Sequence, residues 1–402
     1  MDTIHNIDQY MSDLRQILAQ SKKRIGLLLG AGAPVSINIA ETGDGYKPLI
    51  PAIEGLTTHV KSTVGGVNAS VISSVEASLK EKANIEEILS KIRSLSAALK
   101  GSAQKIGDHG QEDFDNAATA ICSEIGQVVK CKLPSENTPY NRLAGWIGGT
   151  DRKHPIEVFT SNYDLLLEEA LESAKIPFFS GFSGFFEPFF DSASISNSDS
   201  LPPRWARLWK LHGSLGWGVN DKGDLISGKG REATEMIYPD HLKYNQMQKL
   251  PYTALFERLR NFLMTPDTLL LTCGFSYADY HISTLIKEAL EANPAASVFA
   301  FQFKKMEEEL DVKRLAMLRP NFSAYASDRA IISCVEGKWG LAQGNDNKTW
   351  ENIRSSFWGV RGDGPDKIFT LGDFDAFATF FALSKSEQTY APTATAPNVE
   401  AV

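Results

Sequence analysis

The stretch Arg24-Ile-Gly-Leu-Leu-Leu-Gly-Ala-Gly-Ala-Pro-Val-Ser36 constrains the fold more than any other part of the chain. Ile25, Leu27, Leu28 and Leu29 form a run that is apolar on both faces and of a length that suits a buried strand in a parallel sheet. The run breaks at Gly30-Ala31-Gly32, where minimal side chains let the backbone turn sharply and approach a ligand closely. Pro34 suits the first turn of a helix, a position with no amide hydrogen bond to lose. Strand, glycine turn and helix start together offer bare amides to an anion, and a phosphate is the ligand they imply. A tight turn with no ligand accounts for the same residues equally well. A dinucleotide fingerprint wants a third glycine where Val35 stands. Gly43, Gly45, Pro48 and Pro51 also deny the next stretch the long crossover helix of a dehydrogenase.

The 402 residues are enough for one large α/β domain with an elaboration, or for two domains. A formal charge of −8, from 41 basic and 49 acidic residues, argues against non-specific binding to nucleic acid or to an anionic membrane. Met1–Gln20 is studded with Asp, Arg and Gln, unlike a secretory signal, and no apolar run is long enough to span a bilayer. Cys122, Cys131, Cys273 and Cys334 are scattered, with no CxxC pair. That usage fits a reducing cytoplasm and excludes a four-cysteine zinc ribbon.

Periodicity orders the rest. Ile4–Ala19 repeats apolar residues at three- and four-residue steps, the pattern of an amphipathic helix. Val71–Leu79, Asn84–Leu99 and Phe114–Val129 are three helical segments; Asn84 is placed to cap the second, with Glu86 and Glu87 in its first turn. Residues 65–133 therefore read as a helical insertion into a sheet domain made of 1–64 and 134–384, with an independent helical domain as the alternative. Thr138–Trp146 predicts a helix and Ile156–Thr160 a strand, followed by a helix over Leu165–Ala174. Phe178–Phe190 holds seven phenylalanines at no clean period; most are expected in the core, and some at an entrance or subunit contact. Leu208–Leu211, Thr268–Cys273, Ser297–Phe303 and Ala330–Val335 read as further strands, and Asp221–Arg231 as a polar hairpin or loop. Tyr252–Leu263 and His281–Leu290 read as helices. Residues 385–402, rich in Ala, Thr and Pro, predict a disordered tail.

Four apolar strands end in polar turns: Gly30–Ser36, Thr160–Asp164, His212–Ser214 and Gly274–Ser276. In a parallel sheet these ends lie on one edge, where open α/β folds bind ligands. They bring one imidazole, one carboxamide and one carboxylate together, enough for group transfer with a general base. Simpler roles compete: a histidine in a turn is commonly structural, Asn162 or Asp164 could cap the helix that follows, and Asp279 and His281 could only stabilise a helix start. One cap explains Asn162 or Asp164 but not both. Trp205, Trp209 and Trp217 around the His212 strand read as core packing.

The ordered set Gly30-Ala31-Gly32 with Ser36, Thr160-Ser-Asn162-Tyr-Asp164, Leu211-His212-Gly213 and Gly274-Phe-Ser276 resembles the NAD-binding domain of the sirtuin family, from about Ile25 to about Phe303. Tyr238-Pro239, Lys243-Tyr244, Gly274–Ile282 and Leu371-Gly-Asp-Phe374 are similar to its bacterial, defence-associated branch. The fold this implies is α/β, a Rossmann-like parallel sheet flanked by helices. By the same resemblance Gly30, Ala31, Gly32 and Ser36 would hold phosphate oxygens, and Gly274 and Ser276 would line the adenosine end. Asn162 would orient the ribose or the attacking water, Asp164 would accept from the nicotinamide carboxamide, and His212 would serve as general base. Deacetylating sirtuins carry paired zinc cysteines and a mobile loop with an arginine; this chain has no CxxC, and Ala40–Leu56 holds no arginine. The resemblance therefore implies NAD hydrolysis, with NAD as substrate and no zinc. Its rivals are a protein deacetylase or ADP-ribosyltransferase, and a non-catalytic nucleotide-binding scaffold. It also implies a cytoplasmic anti-phage effector, a homo-oligomer restrained by a HerA-type ATPase/helicase, with no direct contact to nucleic acid or membrane.

Overall fold

The computed structural model describes residues 3–20, 22–41, 45–79, 83–134, 137–150, 152–197, 200–228, 251–341, 348–361 and 366–384. Its strands in chain order are β1 (Ile4–Asn6), β2 (Arg24–Leu29), β3 (Glu157–Thr160), β4 (Phe178–Phe179), β5 (Phe182–Ser183), β6 (Phe189–Phe190), β7 (Ala206–Lys210) and β8 (Trp217–Val219). They continue as β9 (Leu225–Ser227), β10 (Thr268–Cys273), β11 (Ser297–Phe301), β12 (Phe322–Tyr325), β13 (Arg329–Ile332), β14 (Val335–Gly340), β15 (Trp358–Val360) and β16 (Lys367–Phe369).

Ten strands form one sheet in the order β1-β14-β13-β12-β11-β10-β2-β3-β7-β4. From β4 across to β12 every neighbouring pair is parallel. The antiparallel β13 joins β12 to β14, and β1 closes the far edge parallel to β14. The chain steps outward from β2 through β3 to β7, then returns to lay β10, β11 and β12 on the other side. With β4 set aside, this is the strand order of a doubly wound nucleotide-binding sheet. Its switch point lies between β2 and β10, which pair from Thr268 opposite Arg24 to Cys273 opposite Leu29. The fold is thus α/β with a Rossmann-like, mostly parallel sheet flanked by helices.

The two-sided apolar strands are explained by a core on each face. Leu27, Leu29, Leu269 and Leu271 enter one core, while Leu28 and Leu270 enter the other, as the two-residue strand period requires. Each such fully buried leucine contributes about 2 kcal/mol. Helices Tyr252–Met264, Tyr280–Ala292 and Leu310–Leu318 cover the second face. Helices Ile7–Ala19, Pro139–Gly148, Leu166–Ser173 and Phe374–Leu383 cover the first.

Helices Ile85–Ala98 and Gln111–Val129 lie close to where the sequence places them, whereas the first of the three, Gly66–Ala77, begins five residues before the expected Val71; Asn84 caps the second through a reciprocal bond with Glu87. Helix Ile53–Thr63 packs against the last two, so the helical group extends upstream of residue 65. Its apolar stripe is continuous with the core on the first sheet face.

Some expectations are corrected. Ile4–Asn6 is an edge strand and the helix begins only at Ile7, because pairing with β14 overrides the helical period there. Of the seven phenylalanines in Phe178–Phe190 only Phe179 is fully buried; Phe185 and Phe186, at the tip between β5 and β6, are 100% and 99% exposed. Phe178 packs against the first core and Phe182 and Phe190 against the second, so the stretch is split between core contacts and an exposed tip. The segment Tyr238–Tyr244 and the tail 385–402 lie outside the described residues. Among the described residues no helix is long and apolar enough to cross a membrane, and no group of His, Cys, Asp and Glu is placed to hold a metal ion.

Candidate functional site

The carboxyl ends of β10, β2, β3 and β7 are side by side, so the four polar turns share one sheet edge. At the switch point the two glycine turns touch. The Gly32 amide donates to the Gly274 carbonyl at 2.9 Å and the Gly30 amide to the Cys273 carbonyl at 3.1 Å. A Cβ on Gly30 would sit 2.4 Å from the Gly274 oxygen, and one on Gly274 would sit 2.7 Å from the Ala33 nitrogen. Gly274 also has φ of +67°, the left-handed region that favours glycine. The glycines are therefore needed for close approach of two backbones.

This qualifies the phosphate turn. The amides of Gly30, Gly32 and Ala33 already serve internal carbonyls, and the helix that follows is one turn, Gly32–Val35, with little dipole to offer. The Ser36 hydroxyl donates to the Ala33 carbonyl at 2.8 Å, so it closes that turn. Ala31 is exposed at the tip.

Asn162 is tied directly to this turn. Its Nδ2 donates to the Gly30 carbonyl at 3.0 Å, and its own amide donates to Thr160 Oγ1 at 3.0 Å. Thr160 Oγ1 in turn donates to the Leu29 carbonyl at 2.9 Å. The capping role falls instead to Asp164, whose Oδ1 accepts from the Leu166 amide at 3.1 Å. Asp164 is buried, and the Lys210 ammonium donates to its carbonyl.

Behind Asn162 lies an ionic cluster that sequence reading missed. Lys210, the last residue of β7, is buried and meets Glu168 Oε1 at 3.0 Å. Tyr140, Thr160, Asn162, Asp164, Glu168 and Lys210 border a small pocket of about 10 Å³, about the size of a single water. Tyr140 Oη and Glu168 Oε2 are buried there without a hydrogen-bond partner among the described residues. Burial pushes the Glu168 carboxyl up despite the opposing Lys210 charge, and burial likewise pushes up the Tyr140 phenol. The available signal was Lys210 itself, a lysine directly after Leu208 and Trp209 and two residues before His212.

His212 follows β7 and is buried. Phe256 stacks on it at 6.5 Å and 23°, and Tyr163 lies 6.5 Å away at 35°. The Leu215 amide donates to the Tyr163 carbonyl at 3.0 Å, which joins the His212 turn to the Asn162 turn. His212 Nε2 lies 3.0 Å from Asp279 Oδ2, an ion-pair distance, although the N–H is not aimed along that line. Asp279 also caps helix Tyr280–Ala292, its Oδ1 accepting from the amides of His281 and Ile282. The helix-start reading of Asp279 is correct and covers only one of its oxygens. Ser276 is exposed beside this turn and its Oγ accepts from the Ala278 amide at 3.4 Å. Tyr277 holds φ of +62°, unusual for a bulky residue, with its hydroxyl 3.0 Å from Thr272 Oγ1 and its carbonyl taking the Ser283 hydroxyl. Trp209 and Trp217 are buried in the second core, as packing residues.

Comparison with known proteins places a SIR2-like domain on residues 156–320, a span that includes Asn162, Asp164, His212, Gly274, Ser276 and Asp279 but not the Gly30 turn. No curated protein sequence matches the chain. Among solved structures, one from a study of the mechanism and regulation of Sir2 enzymes is 14% identical, covers 75% of this chain and 89% of its own, and gives a TM-score of 0.36. A substituted Sir2 homologue in complex with ADP-ribose is 12% identical over 72% of this chain and 84% of its own, at 0.31. Cytosolic 5′-nucleotidase IIIB bound to cytidine is 12% identical over 76% and 83%, at 0.28. Overlaps this loose carry no argument about activity.

Proposed function

We propose that this chain is an NAD glycohydrolase that cleaves NAD to ADP-ribose and nicotinamide. The observation that carries the reading is the junction at the switch point: Asn162 is bonded to the glycine turn after β2, and His212 stands buried one strand further on. The SIR2-like span, which includes both residues, supports it.

In the proposed reaction the bond between ribose C1′ and the nicotinamide nitrogen breaks, and its electron pair leaves with nicotinamide, which becomes neutral. A water oxygen bonds to C1′ and its proton passes to a base. Asn162 orients the water or the ribose, since a carboxamide can donate and accept at once. His212 takes the proton, having an imidazole suited to transfer near neutral pH. Gly30, Ala31, Gly32 and Ser36 line the pyrophosphate, chiefly through close backbone approach and the exposed Ala31. Asp164 faces the nicotinamide carboxamide, and Gly274 and Ser276 the adenosine end.

An unrestrained enzyme of this kind would exhaust its host's NAD. We therefore extend the proposal to an anti-phage effector held in check by self-assembly and by a HerA-type ATPase/helicase, on the strength of the resemblance at Gly274–Ile282 and Leu371–Phe374. The domain division at residues 65 and 133 belongs to the same proposal.

Purified protein incubated with NAD, alone and with the ATPase, should release nicotinamide. No release under either condition would overturn the hydrolase. Release that persists at the wild-type rate in Asn162→Ala or His212→Ala would overturn the site.

A further inference from the structure

Resting on the hydrolase reading for its kinetic consequence, we propose that Lys210 is a positioning residue for Asn162. Its ammonium holds the Asp164 carbonyl and so keeps the turn after β3, with the Asn162 carboxamide, in place against the Gly30 turn.

Lys210 ends β7 opposite Thr160 of β3, and its side chain is 3% exposed. A buried ammonium is costly unless it is both paired and hydrogen-bonded, and an apolar side chain would fill the same place without that cost. Among the described residues the ammonium meets Glu168 Oε1 at 3.0 Å and the Asp164 carbonyl. Both contacts lie on the segment from Asp164 to Glu168, directly beyond Asn162 and Tyr163. Support of the helix that starts there, Leu166–Ser173, does not account for the lysine. A cation beside a helix N-terminus opposes the dipole, and the start is already capped by Asp164 Oδ1 through the Leu166 amide. Glu168, in the first turn of that helix, offsets the charge. What the ammonium then serves is the Asp164 carbonyl.

That carbonyl matters because residues 161–165 belong to no strand or helix, so their shape rests on individual hydrogen bonds. The Ser161 amide donates to the Leu29 carbonyl at 3.3 Å and the Asn162 amide to Thr160 Oγ1 at 3.0 Å, which fixes the start of the turn. The Leu215 amide holds the Tyr163 carbonyl at 3.0 Å and Lys210 holds that of Asp164, which fixes its end. Of these four bonds the last is the one with an ionised donor, and such a bond is about twice as strong as a neutral one. Its loss loosens the Asp164 end of the turn, and a carboxamide displaced by about 1 Å forfeits on the order of 10²-fold in rate.

The test is the double variant Lys210→Met/Glu168→Gln in the full chain, which removes both charges together and leaves neither buried alone. Hydrogen exchange followed by mass spectrometry should show the amides of residues 161–166 exchanging about tenfold faster than in wild type, with those of β3 and β7 unchanged. Glu168→Gln alone keeps the bond to the Asp164 carbonyl and should exchange as wild type over the same residues. The kcat for nicotinamide release by the double variant should fall by about 10- to 10²-fold, with KM for NAD within about threefold of wild type. Unchanged exchange over residues 161–166 in the double variant, or equally fast exchange in Glu168→Gln, would overturn the proposal; so would a kcat within about threefold of wild type. A double variant that does not fold would overturn it as well, since the pair would then support the sheet and not the turn. If wild-type protein releases no nicotinamide, the hydrolase reading fails, and the exchange comparison still decides the role of Lys210.

Discussion

Gly274 is where a single methyl group would do the most harm. Its φ of +67° disfavours any L side chain, and the added carbon would lie 2.7 Å from the Ala33 nitrogen and 2.9 Å from the Gly32 carbon, both backbone atoms that cannot swing away. Gly274→Ala should cost about 3 kcal/mol, read as a lowered urea midpoint. Glu168 makes a prediction about pH. Burial raises its carboxyl above the usual 4.5, so the folded protein holds that proton more firmly than the unfolded chain. Its contribution is fully present below the unfolded value and is lost as pH rises through the raised folded value. Glu168→Gln removes this part of the pH dependence, and urea midpoints of wild type and variant across the acid-to-neutral range should differ in slope; parallel curves would contradict the assignment. Of these residues Gly274, Asn162 and His212 were legible in the sequence, because a turn after an apolar strand is a local pattern. Glu168 was not, since its significance comes from Lys210, 42 positions away and one strand over.

At the scale of elements, boundaries written in local chemistry came through well. Asn84 before Glu87 forms a reciprocal cap, and Thr138 caps Pro139–Gly148 in the same way with Asn141. The N-terminal helix shows the limit. Asp8 sits in its first turn, where an acidic residue needs no explanation beyond the helix dipole. In the fold it accepts from Arg354 at 2.7 and 2.9 Å and from Trp350 at 3.0 Å, and so ties helix Ile7–Ala19 to helix Lys348–Arg354. Asp8→Ala leaves Arg354 half-buried without this partner and should cost about 3 kcal/mol, measured by chemical denaturation. A loss comparable to that of an exposed helix charge would show the tie to be ornamental.

Across the whole molecule, the sheet covers both its faces and gathers the polar strand ends on one edge, while the tip between β5 and β6 projects Phe185 and Phe186 into solvent. Those two rings contribute nothing to the cores. Replacing both with serine should change folding stability by less than about 0.5 kcal/mol, whereas Phe159→Ala in the core beneath β3 should cost about 4 kcal/mol. Equal losses in the two variants would mean that the tip is packed in solution.

The sequence by itself pointed to the parallel sheet, because short runs apolar on both faces suit strands buried on both sides, and to the sharp turns, because glycine adopts them at least cost. Tertiary structure decided which strand ends meet. The pairing of β10 with β2 brings Gly274 onto Gly32 and so takes up amides that the sequence left open to a ligand. The approach of His212 and Asp279, and the turning of Asn162 onto the Gly30 carbonyl, follow from strand order and helix packing. Such partners lie tens of residues apart, beyond the few positions over which capping and turn preferences act, and only the packed cores bring them within hydrogen-bond reach.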